Sequence, residues 1–78
     1  MKALTYRVII EPDENNTFHA FVPSLPGCHT WGNSLRTTKL HIHEAIELYL
    51  EDLVAHGELP PDENSFDTFE TVMAPSPA

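Results

Sequence analysis

The segment from Leu35 to His56 constrains the fold more than any other part of this sequence, because it has the length and spacing of one long helix. Its apolar residues form a single stripe: Leu35, Ile42, Ala45, Ile46, Tyr49, Leu50 and Leu53. Asn33 or Ser34 can cap the start of the helix, and Gly57 is suited to its end. A stripe on one helix must be buried against another element, so we expect the rest of the chain to supply a sheet.

Three short strands are predicted before this helix, at Leu4–Ile10, Thr17–Val22 and Cys28–Trp31. The first segment alternates imperfectly and is rich in β-branched and aromatic residues, which is typical of a strand. Pro12 is predicted to end that strand, and Asp13–Asn16 has the residue types of a turn. The first two strands should therefore form an antiparallel hairpin, and a proline-rich loop should lead from the second strand to the third.

The alternation from Phe66 to Met73 predicts a last strand after the helix, and so the element order β-β-β-α-β. A helix that connects two strands of one sheet forms a right-handed crossover, so we expect the last strand to be parallel to strand one and beside it. The predicted fold class is α+β, with three antiparallel strands, this parallel fourth strand, and one long helix packed on one sheet face. Residues 1–73 are assigned to this single domain and residues 74–78 to a disordered tail.

Acidic residues dominate the charge of the chain. Twelve Asp and Glu stand against four Lys and Arg, which gives a formal net charge of −8. This charge repels phosphate and attracts basic proteins, so we expect no direct nucleic-acid binding by this chain alone, although plain solubility explains the same surface. A chain of 78 residues buries only a small core, and we expect a homo-oligomer, a dimer or tetramer, to add stability.

The cysteine content and the amino terminus both favour a cytoplasmic protein. A single cysteine, Cys28, cannot form an internal disulfide and leaves no second thiol for a cysteine-based metal site. The first residues contain an apolar stretch of only a few residues without a small-residue cleavage site, which fits neither a signal peptide nor a membrane span. No membrane partner and no cofactor are predicted.

Residues 4–61 carry an ordered pattern that is more specific than the composition. Its most specific piece is Val22-Pro23-Ser24-Leu25-Pro26-Gly27-Cys28, between the second predicted strand and the capped helix. The other matching segments are residues 6–11, 18–21, 31–35, 44–51 and 56–61. Together they resemble the amino-terminal domain of HicB-type antitoxins of type II toxin–antitoxin pairs.

This resemblance implies a degenerate, partial ribonuclease H-like fold and a role as an antitoxin. It implies that the domain binds and neutralises a HicA-type toxin, a small basic ribonuclease that cleaves messenger RNA, by covering the toxin's RNA site. The net charge of −8 suits such a partner. Many family members continue into a DNA-binding module, and because this chain stops at Ala78 we expect no operator-binding module in it.

Partner and oligomer contacts are predicted from charge and from amphipathic side chains. The candidates for partner binding are five acids and one aromatic residue: Glu11, Asp13, Trp31, Glu44, Glu47 and Glu51. Trp31 can anchor either the edge of the core or an interface, and the core position is slightly favoured. Leu40 and Leu48 fall outside the apolar stripe and motivate the hypothesis that this helix flank packs against a second subunit.

Catalysis is not expected, although a ribonuclease H-like topology invites the question of metal-dependent nucleic-acid hydrolysis. That chemistry needs several carboxylates that converge on divalent ions. Glu11, Asp13 and Glu14 lie at a turn where solvation explains them, and the helix carboxylates follow an outer surface. We therefore predict no enzyme and no catalytic residue. A solitary oligomeric HicB-like binding protein without a toxin, and a metal-dependent nuclease, are the alternatives.

The histidines have no recognised metal-ligand spacing, and no metal site is predicted. His41 and His43 lie roughly 200° apart around a helix and cannot share an ion. His19 and His29 lie on adjacent predicted strands, so a soft-metal site that includes Cys28 is conceivable. Surface histidines and a small buried thiol are the favoured interpretation.

Overall fold

A computed structural model describes residues 3–62 and 68–76 of the chain. It contains strands β1 (Ile9–Asp13), β2 (Thr17–Phe21) and β3 (His29–Gly32) and helix α1 (Leu35–Ala55). Strand β2 lies between β1 and β3 and is antiparallel to both, and α1 packs mainly against β2 and β3. The expected α+β architecture of three antiparallel strands and one long helix is confirmed.

Strand β1 differs from the prediction at both of its ends. It begins at Ile9, and residues 4–8 have no strand assignment. Pro12 lies inside β1 and pairs with Phe18, so the prediction that this proline ends the strand is wrong. Because β1 is an edge strand of the described sheet, a proline there need not give up a ladder hydrogen bond.

The connection between β1 and β2 is the tight turn that the sequence predicts. Residues Glu14–Asn16 form one 3-10 turn, in which Asn15 and Asn16 adopt left-handed conformations with φ of 62° and 59°. Asparagine tolerates this region better than most residues. The Asp13 side chain accepts a hydrogen bond from the Glu14 N–H at 2.8 Å, which caps the turn.

Both ends of α1 follow from local chemistry. Ser34 is the residue that caps the start, since its Oγ accepts the Thr37 N–H at 3.0 Å. At the other end Gly57 has φ of 75° and donates to the Val54 carbonyl, while the next amide donates to the Leu53 carbonyl. This is the pair of hydrogen bonds of a Schellman motif, in which a left-handed glycine ends the helix.

The core is small and lies between the sheet and α1. Its buried apolar members are Ala20, Val22, Leu25, Cys28 and Ile42. The loop before β3 supplies much of it, because backbone hydrogen bonds within residues 22–28 close that loop and turn Leu25 inward. Tyr49 of α1 donates a hydrogen bond to the Pro26 carbonyl at 2.8 Å and so ties the loop to the helix.

The apolar stripe of α1 is buried only in part. Ile42 is buried, and Ala45, Ile46, Tyr49 and Leu50 pack against the core while remaining partly exposed. Leu35, at the start of the predicted stripe, is 55% exposed, so its assignment to the buried face is wrong.

Gly32 sets how closely β3 approaches the helix. A Cβ atom at this position would lie 2.7 Å from the Thr38 nitrogen and 2.9 Å from the Thr38 Cα. Thr38 is fully buried, and its hydroxyl donates to the Ser34 carbonyl at 2.7 Å. The contact is therefore backbone against backbone, and only glycine fits.

The predicted last strand is not seen in the part of it that the structure describes. Residues 68–76 have no regular secondary structure, and Phe66 and Asp67, where the strand was predicted to begin, lie outside the described residues. Phe69 and Met73 are 96% and 94% exposed. Within residues 68–76, Phe69, Val72 and Met73 are thus exposed and not buried in this chain.

Candidate partner-binding face

The register of the sheet decides which side chains face away from the helix. Phe21 pairs with His29, and His19 pairs with Trp31, so these four side chains share one face of β2 and β3. Residues in the alternate positions face the helix, and Ala20 among them is fully buried. We call the outer surface formed by His19, Phe21, His29 and Trp31 the ring face.

The four rings of the ring face are joined by ring contacts, most of them through His19. The His19 ring lies at the centre, with centroid distances of 4.7 Å to Trp31, 5.5 Å to His29 and 5.6 Å to Phe21. His29 and Trp31 meet edge to face at 4.9 Å. These separations are in the range in which aromatic rings attract one another beyond simple burial. The result is a continuous surface of aromatic rings that borders a shallow cavity below the proline-rich loop.

A hydrogen bond fixes the tryptophan of the ring face. The Trp31 indole N–H donates to the Asp13 carboxylate at 3.0 Å. The Glu14 N–H and the Trp31 indole, in that order, hold the pKa of the Asp13 carboxyl below its ordinary value, and the nearby His19 adds to the effect. The carboxylate is thus charged at neutral pH and holds the indole in place.

Trp31 does not lie in the core, which corrects the slight preference of the sequence interpretation. It is 48% exposed, although its indole is hydrogen-bonded and its ring is in contact with two imidazoles. The reason is register: Thr30 and Gly32 face the helix, and alternation along β3 places Trp31 on the opposite face.

Three of the six predicted partner contacts come together beside the ring face. Glu11 pairs across β1 and β2 with His19, which pairs in turn with Trp31, so the three side chains form one cross-strand row. Asp13 joins this row through its hydrogen bond to Trp31. Acidic oxygen atoms therefore border the rings on the β1 side.

The other three predicted contacts lie elsewhere. Glu44, Glu47 and Glu51 are exposed on the side of α1 away from the sheet, and we call them the helix acids. Glu47 lies 3.7 Å from His43 in an exposed pair one helical turn apart, which contributes little stability. Two acidic surfaces therefore lie on opposite sides of the molecule.

The two leucines proposed for an oligomer interface are both exposed. Leu40 is 60% exposed and Leu48 is 66% exposed. They lie on different flanks of α1, since eight helical residues correspond to a rotation of roughly 80°. The two side chains thus do not form one continuous patch.

The described residues provide no cluster suited to a metal ion. The His19 and His29 rings approach each other as the sequence suggested, but Cys28 is buried in the core, and burial raises the pKa of its thiol. Over residues 3–62 and 68–76, no three His, Cys, Asp or Glu side chains converge in a way that could hold a cation. The carboxylates that a metal-dependent nuclease needs are therefore not gathered in this part of the chain.

Sequence reasoning named Trp31 and the acids but missed His19, Phe21 and His29 as members of one surface. The available signal was alternation, because these residues occupy alternate positions on two neighbouring strands. The chemistry of the ring face follows from its members, since electron-rich ring faces beside carboxylates attract cationic side chains such as those of arginine and lysine.

No helix in the described ranges is long and apolar enough to cross a membrane.

Comparison with known proteins identifies relatives of this chain. Residues 6–75 match the family model described as the HicB-like antitoxin of bacterial toxin–antitoxin systems. A UPF0150 protein of Synechocystis is 41% identical over 59 residues, which cover 76% of this chain and 75% of that protein. A UPF0150 protein of Thermoplasma acidophilum is 40% identical over 62 residues, which cover 80% of this chain and 90% of that protein.

A solved structure supports the same relationship. The N-terminal domain of the Burkholderia pseudomallei antitoxin HicB superimposes with a TM-score of 0.67 at 27% sequence identity. The alignment covers 76% of this chain and 69% of that domain. The family model and the solved structure agree, and the chain belongs to the HicB-like antitoxin family.

Proposed function

We propose that this protein binds and neutralises a small basic HicA-type toxin by covering the site at which the toxin binds RNA, and that it performs no catalysis itself. Membership in an antitoxin family supports a toxin partner in general. The net charge of −8 supports a basic one, because opposite charge accelerates and orients association. The cytoplasm, where messenger RNA is translated, is the proposed compartment.

The ring face is the proposed contact surface, and the exposed Trp31 is the observation that carries this assignment. Tryptophan is enriched among residues that dominate binding energy, especially where neighbouring groups pack around it. Here the hydrogen bond to Asp13 and the contact with His19 hold the ring, so little side-chain freedom remains to be lost on binding. A basic partner can stack a guanidinium on these rings and pair it with Glu11.

The helix acids are proposed to act at longer range. Glu44, Glu47 and Glu51 are exposed on the opposite side of the domain from the ring face, so one compact partner cannot contact both surfaces at once. They add to the negative field that draws a basic protein toward the molecule. Their contribution should appear in the association rate and depend on salt.

Two structural expectations remain proposals. One is that the segment after the helix forms a fourth strand beside β1, parallel to it, which would complete a partial ribonuclease H-like sheet. Two observations support it. The edge of β1 has backbone hydrogen-bonding groups that no described strand pairs, and Phe69, Val72 and Met73 have exposed apolar side chains that such pairing would help to bury. The other is a homo-oligomer. The exposed Leu40 and Leu48 are its candidate contacts from the sequence, and because they lie on different flanks of α1, one compact interface uses only one of them.

Co-expression with a small basic protein encoded next to this gene tests the proposed function. The expected result is that the neighbour arrests growth alone, that this chain relieves the arrest, and that the two proteins purify as one complex. In the purified complex, cleavage of messenger RNA by the neighbour should be suppressed. Replacing Trp31 by Ala should weaken suppression, whereas Leu48→Ala, an exposed residue on α1, serves as the matched control.

A neighbour that remains toxic and unbound would refute the antitoxin proposal and favour a solitary HicB-like binding protein. A complex that is insensitive to Trp31→Ala but lost on replacement of the helix acids would move the contact surface to α1. Cleavage of RNA or DNA by this chain with added divalent metal, abolished by Glu11→Gln, would refute the non-catalytic assignment.

A further inference from the structure

The first turns of α1 carry a surface whose charge is opposite to that of the rest of the molecule. Arg36 and Lys39, with His43 one turn later, line a shallow groove together with the apolar side chains of Leu35 and Leu40. We call this surface the basic groove. Two of the four Lys and Arg residues of the chain lie in it. Neither of these two cations has an ion-pair partner among the described residues.

The placement of these cations is unfavourable within the isolated helix. The amino-terminal end of a helix carries a partial positive charge, so Arg36 and Lys39 there are repelled by a few tenths of a kcal/mol each, roughly. The first turn of α1 contains no acidic residue that would offset this. Because no acidic residue of the first turn offsets this repulsion, the positive charge suggests a contact outside the chain.

Electrostatics restricts how two copies of this chain can associate. With a formal net charge of −8 on each copy, most ways of bringing two surfaces together place like charges opposite each other. The basic groove is an exception, because it presents cations and exposed leucines side by side. An acidic, apolar segment of a second copy therefore fits it.

The segment at residues 68–73 has those properties. Its apolar side chains Phe69, Val72 and Met73 are almost fully exposed, and Glu70 lies between them. In the sequence, Asp67 precedes it directly. We call residues 68–73 the apolar segment. Exposed aromatic and aliphatic residues in one short stretch are typical of a segment that binds another surface.

We propose that two copies of this chain associate by placing the apolar segment of each in the basic groove of the other. The contact is isologous, so the two grooves and the two segments are used equally. Phe69 and Met73 pack on Leu35 and Leu40, and Glu70 pairs with the cations of the groove. The ring face, on the opposite side of the sheet, stays accessible in this dimer. The apolar segment cannot lie beside its own β1 at the same time, so in the dimer this placement replaces the proposed fourth strand.

This proposal separates the two leucines that the sequence grouped together. Leu40 lines the basic groove and becomes buried on association. Leu48 lies on the other flank of α1, outside the groove, and stays exposed. Leu40→Ser should therefore weaken the dimer, and Leu48→Ser should leave it unchanged.

Reciprocal charge reversal tests the proposal with this chain alone, whatever becomes of the toxin assignment. The first variant, Arg36→Glu with Lys39→Glu, reverses the groove, and the second, Glu70→Lys, reverses the charge of the apolar segment. Each variant alone should raise the dimer dissociation constant by at least about tenfold, because like charges then meet. An equimolar mixture should restore the dimer, since both contacts are again between opposite charges.

Analytical ultracentrifugation with multi-angle light scattering measures these states, and circular dichroism verifies that each variant is folded. Glu51→Lys changes the charge as much as the second variant does, lies outside the basic groove, and should self-associate like the unmodified chain. A monomeric unmodified chain at about millimolar concentration would overturn the proposal. So would a dimer that survives groove reversal, or a mixture that remains monomeric. Binding of single-stranded RNA that is lost on groove reversal would assign the groove to nucleic acid instead.

Discussion

The outer face of the sheet and the outer face of the helix both carry candidate contact residues, but they hold them differently. On the sheet, Trp31 is hydrogen-bonded to Asp13 and in contact with His19 and His29. On the helix, the acids are exposed, and the one described contact among them is the loose pair of Glu47 with His43 at 3.7 Å. The first surface is ordered before a partner arrives, and the second is not.

This difference teaches that charge and shape can be assigned to separate surfaces of a very small domain. Ordered rings lose little conformational freedom on binding, so their contacts contribute directly to the lifetime of a complex. Exposed carboxylates contribute through a field that extends over roughly 8 Å at physiological salt. One surface should therefore control dissociation, and the other should control association.

The largest effect is expected where the two layers meet, because breaking that junction disorders both faces. Gly32→Val forces a side chain against the Thr38 backbone, and we expect a loss of about 3 kcal/mol in the free energy of unfolding. Urea denaturation followed by circular dichroism measures it. Gly57→Ala is the matched control: its φ of 75° disfavours alanine, but no atom lies within 4 Å, so about 1 kcal/mol is expected. Equal losses at the two sites would contradict the close packing of β3 on α1.

The next largest effect should come from removing the anchor of the ring face. Trp31→Ala is expected to weaken toxin binding by about 2 kcal/mol, or roughly 30-fold, mainly through faster dissociation. Stability should change little, because the ring is 48% exposed. Surface plasmon resonance with the co-purified toxin measures both rates, with Leu48→Ala as the control. An unchanged dissociation rate would mean that the order of the ring face has no role in binding.

A smaller effect, on the association rate, is expected from the helix acids. Replacing Glu44, Glu47 and Glu51 together by Gln should slow association a few-fold, roughly, at low salt, because the attractive field is reduced. The difference should vanish at about 0.5 M salt, where exposed charges are screened. The same binding measurement at two salt concentrations is sufficient. A change in the dissociation rate that persists in high salt would show direct contact and remove the distinction between the two faces.

The smallest effect is the pH dependence of the Trp31 anchor. The pKa of the Asp13 carboxyl is lowered by the Glu14 N–H and then by the Trp31 indole, so the folded state binds its proton less readily than the unfolded state. The stability from this group is present above the pKa of an unfolded aspartate, about 3.9, and is lost as the pH falls through the lowered value. The indole N–H resonance of the single tryptophan should shift in that acidic range, and Asp13→Asn should abolish the shift. A shift in the acidic range that persists in Asp13→Asn would contradict the assigned hydrogen bond.

Local signals in the sequence were sufficient for the helix and the hairpin turn. Ser34 and Gly57 mark the two ends of α1 because capping and left-handed backbone are properties of single residues. Asn15 and Asn16 mark the turn for the same reason. Pro12 was misjudged because the effect of a proline on a strand depends on whether that strand is at the edge of a sheet, which is a tertiary property.

The candidate site was predicted as separate residues and not as a surface. Glu11, Asp13 and Trp31 were each named, but the row that joins them depends on the pairing register of three strands. The outward direction of Trp31 was accessible from alternation, since Cys28 is buried and Trp31 lies three positions later on the same strand run. The sequence listed acids of α1 together with acids of β1 as candidates, because charge alone does not specify a face.

The buried thiol of Cys28 makes local opening of the loop before β3 measurable, because the rate at which the thiol is modified reports that opening. Burial raises the pKa of this thiol, so in the closed loop both the thiolate and access to it are scarce. An alkylating reagent should therefore modify the chain only as fast as the loop separates from the helix. Because the chain has one cysteine, each modified chain gains a single mass increment, and the rate at which that increment appears reports the opening of the loop. A bound toxin or a second copy that rests on the loop would lower this rate.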